Sequence, residues 1–154
     1  MKDVSWEDFE SYEKRRGRLR EERRLLRILQ KQAAETLAAR IVSRYSIPPR
    51  RVLGHSDVAP IRKSDPGELF DWRRLAAKGI GIWPEKISDS DWASLKLGDS
   101  GAGVAKLQSD LAAVGYNLNA SGSYGATTTV VVSAFQRHWH QAKVDGMADR
   151  KTRN

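Results

Sequence analysis

The sequence contains no cysteine and only three histidines, His55, His138 and His140, among its 154 residues. Disulfide bonds, thiolate metal sites and cysteine nucleophiles are therefore excluded. Any metal must be held by histidine and carboxylate side chains. No apolar run approaches the ~20 residues that a membrane-spanning helix needs. The charged N-terminus also lacks the apolar segment of a secretory signal.

The composition is that of a folded protein with one ordinary domain or two small ones. Hydrophobic residues make up 40% of the chain and charged residues 30%, which is typical of globular proteins. The formal net charge of +8 favours an anionic partner. Charge alone does not decide between nucleic acid, anionic lipid and an acidic wall polymer.

The first third of the chain has a helical pattern over residues 5–45. No proline occurs before Pro48, and Ser5 with Asp8 forms a capping-box pattern. Gly17 is expected to divide this segment into two helices. Apolar residues at every fourth position predict one apolar stripe. Its members are Leu25, Leu29, Ala33, Leu37 and Ile41.

The same segment is strongly basic. Residues 14–27 contain eight basic side chains and two acidic ones. Such a run is most often a solvated helix face, and the alternative is contact with nucleic acid or another anionic surface. The run has no aromatic residue on which a base could stack, and the chain has no nucleic-acid docking motif. Nucleic acid is therefore the disfavoured partner.

The middle of the chain is predicted to be mostly irregular. The two prolines after Ile47 end the first helix. Residues 51–55 suggest a short strand that leads into a loop at residues 55–68, which is rich in Asp, Ser, Pro and Gly. A short helix is expected at 70–78, ended by Gly79. Residues 85–92 form the expected linker between domains.

The last third shows helical spacing and an internal repeat. Val104, Leu107, Leu111 and Val114 predict one helix, which Gly115 ends, and residues 128–140 predict a second. The candidate core positions of the second helix are Val131, Val132, Phe135 and Trp139. A threonine follows a glycine by six residues at Gly122–Thr128 and again at Gly146–Thr152. Thr128 is suited to cap the second helix, and Thr152 should by analogy start another. The chain stops two residues later, so the last helix is expected to be missing.

Residues 54–67 carry the chemically informative groups. His55, Lys63 and Asp65 place an imidazole, a cation and a carboxylate on one loop. Histidine with carboxylate is a partial zinc set, and a nearby lysine could stabilise an oxyanion. A single histidine among charged loop residues is more often structural or solvated, so the pattern by itself leaves both readings open.

The motif at 54–67 closely resembles the signature of zinc-dependent N-acetylmuramoyl-L-alanine amidases of the type-2 family. The resemblance runs from about Ala33 to Pro84. It implies that His55 and Asp65 are zinc ligands and that Lys63 helps to stabilise the tetrahedral intermediate. It also implies cleavage of the amide between the lactyl group of N-acetylmuramic acid and L-alanine. In such a mechanism zinc polarises the carbonyl and activates water, and a glutamate acts as general base.

The sequence departs from that family upstream of the motif. The family's third zinc ligand is an upstream histidine, and residues 1–54 contain none. No glutamate there has the context of the family's general base. His138 and His140 lie in a helix of the second domain, where a core-edge or surface role is expected. Two ligands are too few for a catalytic zinc site. The chain alone is therefore expected to be weak or inactive.

Residues 95–152 resemble the small three-helix peptidoglycan-binding domain of bacterial wall hydrolases. The residues that carry this resemblance are Leu97, Gly98, Asp99, Val104, Leu107, Gln108, Leu111, Gly115, Tyr116, Gly122, Tyr124, Gly125, Thr128, Ala134, Phe135, Gln136, Val144, Asp145 and Gly146. Most of the apolar members are expected to form the core. The resemblance implies peptidoglycan or muropeptides as partners.

Together these features predict a mainly α protein with one or two short strands. It would consist of a partial α/β amidase domain and a small helical peptidoglycan-binding domain. The predicted ranges are a basic segment at 1–32, the C-terminal part of an amidase domain at 33–84, the linker at 85–92 and the binding domain at 93–154. The predicted function is that of a peptidoglycan amidase, here truncated. The alternative is a non-catalytic wall-binding protein with a vestigial metal loop. As written the chain is expected in the cytoplasm, whereas a complete form could act in the cell envelope. No oligomeric state is indicated.

Overall fold

The computed structural model describes residues 6–84 and 92–153, and these residues are mainly helical. The chain divides into two compact units, Met1–Ser46 and Ile47–Asn154. The helices in chain order are α1 (Trp6–Arg44), α2 (His55–Val58), α3 (Trp72–Ala76), α4 (Ala102–Val114), α5 (Ala126–Trp139) and α6 (Arg150–Arg153), with a 3₁₀ turn at Pro49–Arg51. No helix in these ranges has the length and apolar character to cross a membrane.

Helix α1 makes up the described part of the first unit, apart from the turn at Tyr45 and Ser46. It continues through Gly17, so the predicted division into two helices is wrong. One interior glycine costs only about 1 kcal/mol of helix stability, which is too little to end a helix of this length. Ion pairs such as Lys14–Glu10 at 3.0 Å connect successive turns. The predicted apolar stripe is solvent-exposed along its length. The proposed cap at Ser5 lies outside the described residues.

The strand predicted at residues 51–55 is wrong. Pro49 starts a 3₁₀ turn, residues 52–54 have no regular structure, and His55 begins helix α2. Gly54 precedes that helix in an extended conformation, and its N–H donates to Asp57 Oδ2 at 2.8 Å. An acidic side chain three residues after the cap is a local helix-start signal, and here it overrides the strand-like residues before it.

The short helix predicted at 70–78 is present as the shorter α3. Its start at Trp72 follows from Asp71, whose carboxylate accepts the N–H of Arg74 at 3.3 Å. Gly79, with φ of +75°, lies just beyond its end. The predicted linker at 85–92 lies, apart from Trp92, outside the described residues.

Helices α4 and α5 form the apolar core of the second unit. Helix α4 ends at Gly115, whose φ of +124° suits glycine because it has no Cβ. Two isolated antiparallel bridges, Leu95–Ala148 and Ser100–Ser123, are the strand-like pairings among the described residues. Most of the predicted core positions are buried, but Val114 is exposed. The buried core consists of Val104, Leu107, Leu111, Tyr116, Tyr124, Val131, Val132, Ala134 and Ala148, and Phe135 packs against it.

The internal repeat has a structural basis in two buried glutamines. Gln108 Nε2 donates to Thr128 Oγ1 at 3.0 Å, and its Oε1 accepts the N–H of Gly122 at 2.9 Å. Gln136 repeats this arrangement with Thr152 Oγ1 at 3.2 Å and with the N–H of Gly146 at 2.9 Å. Each glutamine therefore fastens a glycine turn to the start of the next helix.

Thr128 and Thr152 bind the buried glutamines and do not cap their helices, so the caps predicted for them are wrong. Helix α5 begins at Ala126, after Gly125, so Thr128 lies within the first turn. Helix α6 begins at Arg150, and its cap is Asp149, whose Oδ1 accepts the N–H of Thr152 at 3.0 Å. Helix α6 is a single turn, Arg150–Arg153, and the expectation that the last helix is missing stays a prediction. Both threonines serve as acceptors for a buried glutamine.

Candidate functional site

The structure brings His55 and Asp65 together at the surface of the second unit. His55 Nδ1 and Asp65 Oδ2 are 2.6 Å apart, with 73% and 61% of their side chains exposed. The backbone supports the pairing, because Ser56 N–H donates to the Asp65 carbonyl at 2.9 Å. The hydrogen bond from His55 holds the pKa of Asp65 below its ordinary value, and the charge of Lys63 lowers it further. Two predicted ligands are thus adjacent and accessible.

These two side chains fit part of a zinc site. An imidazole nitrogen and a carboxylate oxygen are suitable donors for zinc, which in catalytic sites takes three protein ligands and one water. Among residues 6–84 and 92–153, no group of three or more His, Cys, Asp or Glu side chains is placed to hold a metal ion. His55 and Asp65 therefore have no third donor grouped with them among these residues, and the ligand roles of both stay predictions.

Lys63 lies on the same loop as Asp65, at the edge of a surface cavity. Its backbone N–H donates to the Ala59 carbonyl at 3.0 Å. The cavity has a volume of about 340 Å³, and two further cations line it, Arg62 from the loop and Arg137 from helix α5. This positive surface suits an anionic or strongly polarised group. The catalytic role predicted for Lys63 is untested.

Asp57 is a buried residue in the same helix as His55, and the sequence did not identify it as part of the site. Its Oδ2 accepts from His138 Nδ1 at 2.7 Å and from the N–H of Gly54, while its Oδ1 accepts from the Tyr116 hydroxyl at 2.7 Å. Burial raises the pKa of Asp57, but the bonds and charge of His138, with Tyr116 and Gly54, bring it below its ordinary value. Burial and the nearby Asp57 charge raise the pKa of Tyr116. Asp57 is thus an ionised group with every oxygen partnered.

His138 does not have the core-edge or surface position that was expected. Only 3% of its side chain is exposed. Its ring is stacked between Trp72 and Trp139, with centroids 3.9 Å away on each side. His140 lies 3.8 Å from Asp149, measured from Nε2 to Oδ2. Neither histidine joins His55 and Asp65 in a metal-binding group.

The local part of this network had a sequence signal, and the long-range part had none. The spacing of Gly54 and Asp57 is a helix-start pattern. The partners of Asp57 are 59 and 81 residues away along the chain. No periodicity within one segment reports such a pairing.

Two family models match the chain, and they define the class of protein that it resembles. Residues 29–68 match the model described as N-acetylmuramoyl-L-alanine amidase, and residues 100–154 match the putative peptidoglycan binding domain. The chain therefore combines a segment that matches the amidase model with a segment that matches the peptidoglycan-binding model.

Particular relatives agree with this class. The chain is 36% identical over 121 residues to the N-acetylmuramoyl-L-alanine amidase AmiD of Escherichia coli (strain K12). This alignment covers 79% of the chain and 44% of AmiD. The chain is also 49% identical over 37 residues to the 1,6-anhydro-N-acetylmuramyl-L-alanine amidase AmpD of Enterobacter cloacae. That alignment covers 24% of the chain and 20% of AmpD.

Solved structures give the same result for the fold. AmiD from E. coli, in complex with the substrate anhydro-N-acetylmuramic acid-L-Ala-D-gamma-Glu-L-Lys, matches with a TM-score of 0.69 and 37% identity. AmpDH3 from Pseudomonas aeruginosa matches with a TM-score of 0.58 and 28% identity. Each match covers 80% of this chain and 48% of the other. The chain spans less than half the length of these relatives.

Proposed function

We propose that this chain belongs to the N-acetylmuramoyl-L-alanine amidases that act on peptidoglycan, that these 154 residues alone have weak activity or none, and that residues 93–154 hold the chain on the cell wall. The observation that carries the proposal is the adjacency of His55 and Asp65 within the amidase match, with Lys63 two residues before Asp65 on the same loop. The identity with AmiD over 121 residues supports the same reading.

Under this proposal each residue of the site would have a separate role. His55 and Asp65 would hold zinc, which when bound polarises a carbonyl and lowers the pKa of its water. Lys63 would hold the oxygen that becomes negative as the amide is attacked. Arg62 and Arg137, which line the same cavity, would attract the carboxylates of a stem peptide.

A second candidate is a wall-binding protein that does not catalyse. The observation that favours it is the count of zinc donors, because the described residues supply two ligands where a catalytic site takes three. Under this alternative the His55 loop would be a surface feature, and the function would lie in residues 93–154.

Zinc binding should be weak compared with a complete three-ligand site, and it should depend on both donors. We expect His55→Ala and Asp65→Ala each to abolish the zinc signal in calorimetric titration, because neither side chain can hold the ion alone. His140→Ala is the matched control, since His140 lies outside the pair and should leave the titration unchanged. Submicromolar affinity that survives both substitutions would show that zinc binds elsewhere.

Retention on insoluble peptidoglycan should persist in a chain that starts at Ile47. The cut after Ser46 follows the boundary between the compact units, whereas a cut at residue 84 would remove Asp57 from His138 and Tyr116. Residues 1–46 carry 12 basic and 8 acidic side chains, which is half of the net charge of +8. Pull-down with sacculi, with mass spectrometry of released muropeptides in the same tubes, measures both binding and cleavage.

The two readouts test wall binding and catalysis separately. Retention with little or no cleavage is expected from these 154 residues, because one missing oxyanion donor alone costs roughly 10²–10³ in rate and a missing ligand and base should cost more. Zinc-dependent cleavage that Lys63→Ala removes would mean that the chain supplies a third ligand and a base. Retention that follows residues 1–46 and disappears in high salt would instead show charge attraction and would contradict the assignment of wall binding.

A further inference from the structure

A buried polar network in the second unit connects the two family matches. Asp57 comes from the loop of the amidase match, while Tyr116 and His138 belong to the peptidoglycan-binding match. We infer that Tyr116 and His138 are positioning residues, which act through Asp57 to hold the loop that carries His55 and Asp65. This inference rests on the proposed function, in which that loop holds zinc.

Helix α2 depends on outside contacts for its conformation. It has four residues, and isolated helices shorter than about 12–15 residues are marginal in water. Asp57 supplies those contacts, because it binds the N–H of Gly54 at the start of the helix and the side chains of His138 and Tyr116 at 2.7 Å each. His55 is the first residue of this turn, so a fixed Asp57 fixes the backbone that presents the imidazole.

The same turn also fixes the backbone at Asp65. Ser56, between His55 and Asp57, is 2% exposed, and its N–H donates to the Asp65 carbonyl at 2.9 Å. Gly54 packs tightly against Pro66, the residue that follows Asp65. A Cβ on Gly54 would lie 2.5 Å from Pro66 Cδ. The loop therefore has little room to move once Asp57 is held.

The positioning groups are themselves rigid. His138 is fixed by ring stacking on Trp72 and Trp139. A second bond, from Gln141 Nε2 to the Phe70 carbonyl at 2.6 Å, connects the peptidoglycan-binding match to a residue just beyond the amidase match. Groups behind metal ligands typically change metal affinity by about 10–100-fold when they are lost. The wall-binding helices thus set the geometry of the ligand loop as well as packing against it.

The full chain offers a matched pair of variants for a test. Tyr116→Phe removes the hydroxyl that binds Asp57, and Tyr124→Phe removes a hydroxyl from an equally buried tyrosine that donates to the Gly146 carbonyl, also at 2.7 Å. Both variants keep their rings, and each loses one buried hydrogen bond. The readouts are amide hydrogen exchange at Ser56, followed by NMR, and the dissociation constant for zinc.

We expect both variants to lower stability, Tyr116→Phe by more because its hydroxyl binds an ionised acceptor, but only Tyr116→Phe to loosen the loop. Exchange at Ser56 should rise about 10-fold more in Tyr116→Phe than in Tyr124→Phe, and the zinc dissociation constant should rise by about the same factor. His138→Asn, whose amide nitrogen lies near the position of Nδ1, should keep Ser56 better protected than His138→Leu.

The outcomes separate this inference from the proposed function. Equal exchange at Ser56 in the two tyrosine variants would overturn the positioning role, whatever the zinc result. A wild-type chain that binds no zinc would count against the proposed zinc ligands, while the exchange comparison would still decide whether Tyr116 holds the loop.

Discussion

Asp57→Ala should lower the free energy of unfolding by about 3–5 kcal/mol, because it removes the shared acceptor of three buried hydrogen-bond donors. The substitution leaves His138 Nδ1, the Tyr116 hydroxyl and the Gly54 N–H without their acceptor in a region that solvent scarcely reaches. Each buried donor without a partner costs about 1–3 kcal/mol. Urea denaturation followed by tryptophan fluorescence measures the change, because Trp72 and Trp139 flank His138.

Asp110→Ala is the control for this prediction. Asp110 also pairs with a cation, Lys106 at 2.9 Å, but 59% of its side chain is exposed. Exposed pairs one helical turn apart are worth only about 0.3–0.5 kcal/mol. A loss for Asp57→Ala that is no larger than the loss for Asp110→Ala would show that the buried network does not stabilise the second unit.

The features that the sequence predicts well are those determined within one segment. The first helix was expected at 5–45 and is observed at Trp6–Arg44. The spacing of Val104, Leu107 and Leu111 predicted α4 and its buried face. Apolar periodicity reports such elements because the same residues determine both the helix and its contact face.

The features that the sequence does not reveal depend on partners far along the chain. Gln108 and Gln136 belong to the quoted resemblance, but their role appears only when each is seen bonded to a glycine turn. The buried ring of His138 is bonded to Asp57, which is 81 residues away along the chain. At the site, spacing placed His55 and Asp65 on one loop, and the structure added the buried groups behind that loop.

Steric crowding distinguishes the two glycines of the internal repeat. Gly146 and Gly122 share a φ of +72°. A Cβ on Gly146 would lie 2.7 Å from Thr129 Cγ2, 2.8 Å from Ser133 Oγ and 3.0 Å from the Thr129 carbonyl oxygen. On Gly122 the nearest atom would be the Gly101 carbonyl oxygen at 3.6 Å, which is an ordinary contact. An added methyl group would therefore strain the backbone at both positions, but it would collide with neighbouring atoms only at Gly146.

Gly146→Ala should consequently destabilise the second unit much more than Gly122→Ala. Left-handed backbone costs a residue with a side chain roughly 1–2 kcal/mol, and this cost applies to both variants. Overpacking adds about 1–3 kcal/mol at Gly146, because α5 would have to move away from a turn that Gln136 and Tyr124 hold by hydrogen bonds to Gly146. Urea denaturation of both variants measures the difference.

Gly103→Ala in α4 is a control with nothing within 4 Å of the new methyl group. It should raise the free energy of unfolding by about 0.5–1 kcal/mol. Equal losses at Gly146 and Gly122 would mean that the turn moves aside freely, and the close packing of the glycine turn on α5 would then contribute nothing to the stability of the unit.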